Sequence, residues 1–193
     1  MNSSPSPAVP VLNIANVLTV VRILLVPFFI WFLLLDDGRA GLFRWLAVLT
    51  FVVAIYKLDG DLARSRGLIT DFGKIADPIA DKLLIGSALV LLSVLGELWW
   101  WVTVVILVRE VGITLLRFAV IRYGVMPASR GGKIKTVVQT VAILLFLIPL
   151  QALVGDWAWW VAAAVMAAAV AITVVTGVDY IVQAIRLRAS ARK

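Results

Sequence analysis

Residues 157–182 read WAWWVAAAVMAAAVAITVVTGVDYIV, a long apolar stretch whose single charged residue is Asp179. This stretch exceeds the roughly 20 apolar residues that a helix needs to cross the hydrocarbon core of a bilayer. Hydrophobic residues make up 63% of the 193-residue chain, whereas soluble domains contain roughly 45–50%. The sequence therefore predicts an integral membrane protein.

Five further apolar segments precede this stretch, and short polar links separate them. The six segments are residues 17–35, 42–55, 79–95, 99–120, 134–154 and 157–182. Links with turn-forming residues, such as Asp37-Gly38 and Gly155-Asp156, favour antiparallel helical neighbours. We expect an all-α integral membrane fold, a six-transmembrane-helix bundle whose N-terminal helix starts in the membrane interface.

The two ends of the chain differ in composition from the apolar segments. Residues 1–13 are rich in Ser and Pro and contain no Lys or Arg, which predicts a disordered N-terminal tail. This tail lacks the pattern of a cleaved signal peptide, so we expect the first apolar segment to be retained as a helix. Residues 14–186 form one predicted membrane domain, and residues 187–193 a basic C-terminal tail.

Basic residues predict how the bundle is oriented. Lys and Arg concentrate in the second link, the fourth link and the C-terminal end, whereas the third and fifth links have none. By the positive-inside rule, both termini and the second link are expected to face the cytoplasm. Tryptophans near residues 99–101 and 157–160 then mark the outer interface.

Composition also excludes several kinds of chemistry. The chain has no Cys and no His, which removes thiol nucleophiles, disulfides, imidazole bases and the usual zinc sites. A net charge of +7, carried beside hydrophobic segments, suits anionic lipid headgroups and phosphorylated substrates better than nucleic acid. The remaining candidate chemistry is that of carboxylates.

Carboxylates interrupt the apolar pattern between the second and third segments, at Asp59, Asp77 and Asp81. An ionised carboxylate in hydrocarbon costs about 2.5–3.5 kcal/mol, so such acids imply a cation or a wet cavity. Asp77 and Asp81 are four residues apart and would share one face of a helix. Oxygen ligands without His or Cys favour Mg²⁺, Mn²⁺ or Ca²⁺. The alternative is a solvated loop whose acids pair with neighbouring Lys and Arg.

The acidic cluster resembles the signature of the CDP-alcohol phosphotransferases, membrane enzymes of phospholipid synthesis. The matching residues, at the spacing of that signature, are Asp59-Gly60, Ala63-Arg64, Gly73, Asp77 and Asp81. The signature begins with one more aspartate, and that position is Tyr56 here. A phenol is neutral at pH 7 and a poor Mg²⁺ ligand, so we expect weakened metal binding and low or absent turnover. In the alternative, Asp61 or water substitutes for the missing ligand.

The resemblance implies roles for the signature residues. It implies six transmembrane helices, a homodimer and two divalent ions, Mg²⁺ or Mn²⁺, per site. By resemblance, Asp59, Asp77 and Asp81 bind metal, and Asp81 is also the catalytic base that takes a proton from the acceptor alcohol. The cytidine (CDP) site would comprise Gly60, Ala63, Arg64 and Gly73.

Three further stretches resemble the bacterial CDP-diacylglycerol–glycerol-3-phosphate 3-phosphatidyltransferase branch of this family. They are residues 13–19 with Arg22 and Pro27, residues 109–117 and residues 132–136. This resemblance implies transfer of a phosphatidyl group from CDP-diacylglycerol to glycerol 3-phosphate in the bacterial cytoplasmic membrane, giving phosphatidylglycerolphosphate and CMP. The alternatives are another acceptor (inositol phosphate, serine or a lipid), a catalytically silent family member, or a transporter.

Basic residues in the fourth and fifth segments are candidates for binding the acceptor phosphate. Arg109 interrupts an apolar segment, and intramembrane charges commonly mark function. Lys133 and Lys135 come at the predicted start of the next helix, where free N–H groups and the helix dipole also favour phosphate. Arg117 and Arg122 are interpreted as charges at helix ends.

The first apolar segment carries a polar face. Asn16, Thr19 and Arg22 recur every three residues and would lie on one side of a helix. We expect this face either to contact the substrate headgroup or to anchor the helix at the interface.

Overall fold

The computed structural model describes residues 14–36, 40–55, 71–121 and 130–190. All regular secondary structure in these ranges is helical, in agreement with the predicted all-α class. The helices are α1 (Ile14–Leu34), α2 (Leu42–Ile55), α3 (Asp71–Val94), α4 (Trp100–Val120), α5 (Arg130–Leu147), α6 (Leu150–Val154) and α7 (Trp157–Ser190). The predicted N-terminal tail lies outside the described residues.

Most helix bounds follow the apolar segments, but the predicted segment 134–154 is divided. Helix α5 ends at Leu147 and α6 begins at Leu150. Pro149 stands between them, and a proline has no N–H group to donate and disfavours helical geometry in the preceding residue. The break between α5 and α6 is therefore a local effect of Pro149.

Helices α3 and α7 extend furthest beyond their predicted segments. Helix α3 begins at Asp71, before the predicted residue 79, and contains Pro78. Helix α7 continues to Ser190, past the predicted residue 182. Hydrophobicity marks where a helix is apolar and not where its backbone hydrogen bonding ends. The apolar pattern therefore does not predict polar extensions of a helix.

Two of the described helices are long and apolar enough to cross a membrane by length and composition, Asn16–Leu34 and Trp157–Ser190. Helix α2 is a shorter apolar helix. Helix α4 has the length of a span but carries Arg109, Glu110 and Arg117. Apolar helices that leave large hydrophobic side chains exposed agree with a membrane protein, because such surfaces are unfavourable in water.

The chain divides into two compact units, Met1–Ala88 and Leu89–Lys193. In the first unit α1 packs against α2, and the rings of Phe29 and Phe51 lie 5.5 Å apart between centroids. Arg44 and Asp36 form an ion pair nearer the link. In each pair, the two residues are about equally far along the sequence from the α1–α2 link. This is the contact pattern of an antiparallel helix pair.

In the second unit α7 packs against α4, α5 and α6. Its buried face includes Ala162, Met166 and Ala169, and the small alanine side chains allow neighbouring helices to approach closely. Trp99 and Trp159 contact each other edge to face, with centroids 5.4 Å apart. The two predicted groups of tryptophans therefore meet at one end of this unit.

Candidate active site

Two of the predicted acids lie one helical turn apart on α3. Gly73, Asp77 and Asp81 follow one another at intervals of four in one continuous helix, so the three positions share one face. The Asp77 side chain is 52% exposed and the Asp81 side chain 36% exposed. Their carboxylate oxygens are therefore accessible to a ligand.

Helix α1 places two polar side chains against these acids. Thr19 Oγ1 donates a hydrogen bond to Asp77 Oδ1. Arg22 Nη1 lies 3.9 Å from Asp77 Oδ1 and 3.5 Å from Asp81 Oδ1. Asn16, on the same predicted face, is 5% exposed. Thr19 and Arg22 thus contact one carboxylate from one side of α1.

The charge of this acidic site suits a cation. Arg22 contributes one positive charge to two carboxylates, which leaves a formal charge of −1 on Arg22, Asp77 and Asp81 together. Accessible carboxylate oxygens are the ligands that Mg²⁺ and Mn²⁺ prefer. Within the described ranges no group of three acidic, His or Cys side chains is close enough to hold a metal ion. The described donors therefore fit part of a divalent-metal site.

The remaining signature residues lie outside the described part of the chain. They are Tyr56, Asp59, Gly60, Ala63 and Arg64. The cytidine site and the effect of Tyr56 accordingly stay predictions. Gly73 belongs to the first turn of α3, where the resemblance puts a residue of the cytidine site.

A second polar site, which we call the basic cluster, joins α4, α5 and α7. Its members are Arg109, Glu110, Arg117, Lys135, Thr176 and Tyr180. Lys135 Nζ donates to Glu110 Oε1, and Arg109 Nη1 donates to the same oxygen at 3.0 Å. Glu110 therefore holds two of the predicted phosphate-binding cations together.

Helix α7 supplies the other contacts of the basic cluster. Arg109 Nη2 donates to Thr176 Oγ1 at 3.1 Å, and Arg117 Nη2 donates to the Tyr180 hydroxyl at 2.7 Å. The Tyr180 ring also lies under both guanidinium groups, 5.6 Å from Arg109 and 4.8 Å from Arg117. Cation–π contacts of this kind are attractive. Arg117, interpreted from the sequence as a helix-end charge, thus has specific partners.

The basic cluster has a surplus of positive charge. Arg109, Arg117 and Lys135 contribute three charges and Glu110 removes one, which leaves a formal charge of +2. Lys133 precedes Lys135 by two residues and is exposed, whereas Lys135 is 5% exposed. Residues two apart on a helix do not face each other, so Lys133 does not share the face of Lys135. Chemically, the cluster can bind an anion.

Several of these side chains could not be identified from the sequence. Thr176 and Tyr180 are separated from their arginine partners by 67 and 63 residues. A threonine and a tyrosine in an apolar helix carry no local signal of such partners. Glu110 is ionisable and lies in an apolar segment, which was a usable signal for a buried ion pair.

Comparison with known proteins identifies the family of this chain. Residues 12–175 match the family model for CDP-alcohol phosphatidyltransferase. A Mycobacterium tuberculosis protein named "Probable phosphatidylglycerophosphate synthase" is 52% identical over 176 residues, covering 90% of this chain and 82% of that protein.

Two relatives carry the name "CDP-diacylglycerol--glycerol-3-phosphate 3-phosphatidyltransferase". The protein of Bacillus subtilis is 34% identical over 186 aligned positions, covering 87% of this chain and 93% of the relative. The protein of Rickettsia felis is 34% identical over 179 aligned positions, with the same coverage of both chains. The matched family model spans most of the sequence, and the chain belongs to the CDP-alcohol phosphatidyltransferase family.

Proposed function

We propose that this protein transfers the phosphatidyl group of CDP-diacylglycerol to sn-glycerol 3-phosphate, which gives phosphatidylglycerolphosphate and CMP. The observation that carries the proposal is the shared face of Gly73, Asp77 and Asp81 on α3, with accessible carboxylates that Thr19 and Arg22 contact. The names of the relatives support the choice of donor and acceptor.

The acids would act on the acceptor hydroxyl. Asp81 takes the proton as the acceptor oxygen forms a bond to the phosphorus of the phosphatidyl group, and the bond from that phosphorus to the CMP oxygen breaks. Asp77 and Asp81, with Asp59, would hold divalent cations. Such ions, when bound, stabilise negative charge on the phosphate oxygens. Arg22 and Thr19 keep the two carboxylates in a fixed arrangement.

Arg109 and Lys135 would bind the acceptor phosphate, whereas Lys133 is exposed on another face of α5 and is not assigned to it. The surplus positive charge of the basic cluster supports this assignment, because a dianionic phosphate can replace Glu110 as partner of the two cations. The guanidinium group of Arg109 can offer two parallel N–H donors to phosphate oxygens.

The proposed architecture is a homodimer of six-span chains in the bacterial cytoplasmic membrane. Both termini and the acidic cluster face the cytoplasm, and residues 14–186 form the membrane domain. The distribution of Lys and Arg along the links supports this orientation.

Tyr56 favours a second candidate, a family member that binds CDP-lipid with little or no turnover. The residue replaces a carboxylate with a neutral phenol and so removes one negative charge from the proposed metal site.

The test is CMP release from CDP-diacylglycerol, measured with and without glycerol 3-phosphate and Mg²⁺, for this chain and for Tyr56→Asp. We expect release that requires both additions and is much faster for Tyr56→Asp. Strong activity of the unaltered chain, with no gain from Tyr56→Asp, would refute the role given to residue 56. Absence of release from both proteins with every acceptor tried would refute the proposed transfer.

A further inference from the structure

Arg109 is held by an unusually specific set of contacts. Its side chain is 13% exposed, and its two terminal nitrogens donate to Glu110 Oε1 and Thr176 Oγ1. Arg109 Nε is buried and has no hydrogen-bond partner among the described residues. A buried N–H without a partner is costly, so an acceptor oxygen that reached this donor would be stabilised by it.

Thr176 presents an acceptor in a defined direction. Its hydroxyl donates to the Ile172 carbonyl at 2.7 Å, within its own helix. With that proton directed along α7, the oxygen lone pairs are left to accept from Arg109 Nη2 at 3.1 Å. The threonine therefore acts on Arg109 as a fixed acceptor.

Gly177 provides the space that Arg109 occupies. A Cβ atom at residue 177 would lie 3.3 Å from Arg109 Cγ and 3.8 Å from Arg109 Nε. The first distance is tighter than nine in ten Cβ contacts in proteins, so a Cβ atom at residue 177 would require the Arg109 side chain to shift by a few tenths of an ångström. Glycine is a poor helix former, about 1 kcal/mol worse than alanine. Gly177 therefore does not stabilise α7 as a helix. We attribute its presence to the space that it leaves for Arg109.

We propose that Thr176 and Gly177 are positioning residues that place the Arg109 guanidinium, with its unpartnered Nε–H, to receive the phosphate of the acceptor. The inference rests on the proposed function, in which Arg109 binds that phosphate. It makes α7 a determinant of acceptor affinity through residues that themselves do not touch the acceptor.

The experiment measures the dissociation constants of glycerol 3-phosphate and of CDP-diacylglycerol for the full-length chain in detergent, so that it does not depend on turnover. Gly177→Ala and Thr176→Val are expected to weaken glycerol 3-phosphate binding about tenfold, the effect of misplacing one charge-assisted hydrogen bond. Binding of CDP-diacylglycerol is expected to be unchanged. Thr176→Ser, which keeps the hydroxyl, is expected to retain the parent affinity.

Two matched controls separate positioning from general damage to the helices. Gly112 is a helical glycine with open space around its Cβ position, and Thr173 is a buried threonine on α7 whose Oγ1 has no partner in the described part of the chain. Gly112→Ala and Thr173→Val are expected to keep the parent affinity for both ligands. In an Arg109→Ala background, Gly177→Ala is expected to have no further effect, because residues that act as a unit are not additive.

The outcomes are distinguishable. If the parent binds glycerol 3-phosphate and Gly177→Ala leaves its affinity unchanged, or weakens both ligands equally, the positioning role is overturned and the proposed function stands. An equal effect of Gly177→Ala with and without Arg109 also overturns it. If the parent does not bind glycerol 3-phosphate and Tyr56→Asp releases no CMP, the proposed function fails and the inference fails with it.

Discussion

Arg22 Nη1 lies 3.5 Å from Asp81 Oδ1 and 3.9 Å from Asp77 Oδ1, so one guanidinium group on α1 faces both described acids of the family signature. The Arg22 side chain is 13% exposed, and Asp77 is bound to Thr19 as well. The contact compensates part of the charge of two neighbouring carboxylates. It leads to two predictions about α1.

Replacing Arg22 with Met is expected to remove one positive charge that compensates the two acids. The melting temperature of the purified chain should fall when divalent ions are chelated and should recover in part when Mg²⁺ is added, because a bound cation can take over the compensation. Thermal unfolding in detergent, with EDTA and with Mg²⁺, measures the difference. The matched control is Arg186→Met at an exposed position of α7. An equal loss of stability under both conditions would contradict this role of Arg22.

Replacing Thr19 with Val is expected to lower transferase activity about tenfold, since Asp77 loses a hydrogen bond to its charged oxygen. The control is Thr50→Val, because Thr50 is also buried in an apolar helix but, within the described ranges, donates to the Leu46 carbonyl of its own helix and not to an acid. The activities of Thr19→Val and Thr50→Val are compared by measuring CMP release in the Tyr56→Asp background. Equal activities for the two variants would show that the hydroxyl of Thr19 does not support the acids.

The ion pair of Asp36 with Arg44 is expected to stabilise the α1–α2 pair. The two side chains are 4% and 5% exposed, with 3.1 Å between Asp36 Oδ2 and Arg44 Nη1, and Asp36 Oδ1 has no partner among the described residues. Arg44→Met would leave a buried carboxylate uncompensated, which costs about 3–5 kcal/mol. Asp36→Asn combined with Arg44→Met should recover part of that loss. Thermal unfolding of Arg44→Met, of Asp36→Asn and of the double variant tests this, and additive losses would contradict it.

The sequence predicted where the helices lie better than it predicted which side chains pair between helices. The helix bounds of α2 and the shared face of Asp77 and Asp81 follow from hydrophobic periodicity and from the four-residue repeat, which are local properties of the chain. The break at Pro149 also had a local cause, although the apolar pattern continued across it. Local patterns of this kind are readable without knowledge of the rest of the fold.

Pairings between distant residues could not be predicted in the same way. Lys135 and Glu110 are 25 residues apart, and Arg109 and Thr176 are 67 apart. Such pairs depend on how helices rotate and cross when they pack, which no single segment encodes. Gly177 illustrates the limit, because an isolated glycine in an apolar helix does not indicate which side chain occupies the space it leaves.

The same substitution is expected to have different effects on the stability of the protein at two buried threonines. Thr103 Oγ1 bonds with Ser93 Oγ at 2.7 Å and donates to the Leu89 carbonyl at 3.1 Å, whereas Thr173 Oγ1 has no partner among the described residues. Thr103→Val should therefore destabilise the protein by about 1–3 kcal/mol, since it leaves the Ser93 hydroxyl buried without its partner. Thr173→Val removes a hydroxyl that is buried without a hydrogen bond, so it should be neutral or stabilising. Thermal unfolding of both variants in the same detergent compares them, and a loss of stability from Thr173→Val as large as that from Thr103→Val would contradict the hydrogen-bond assignment.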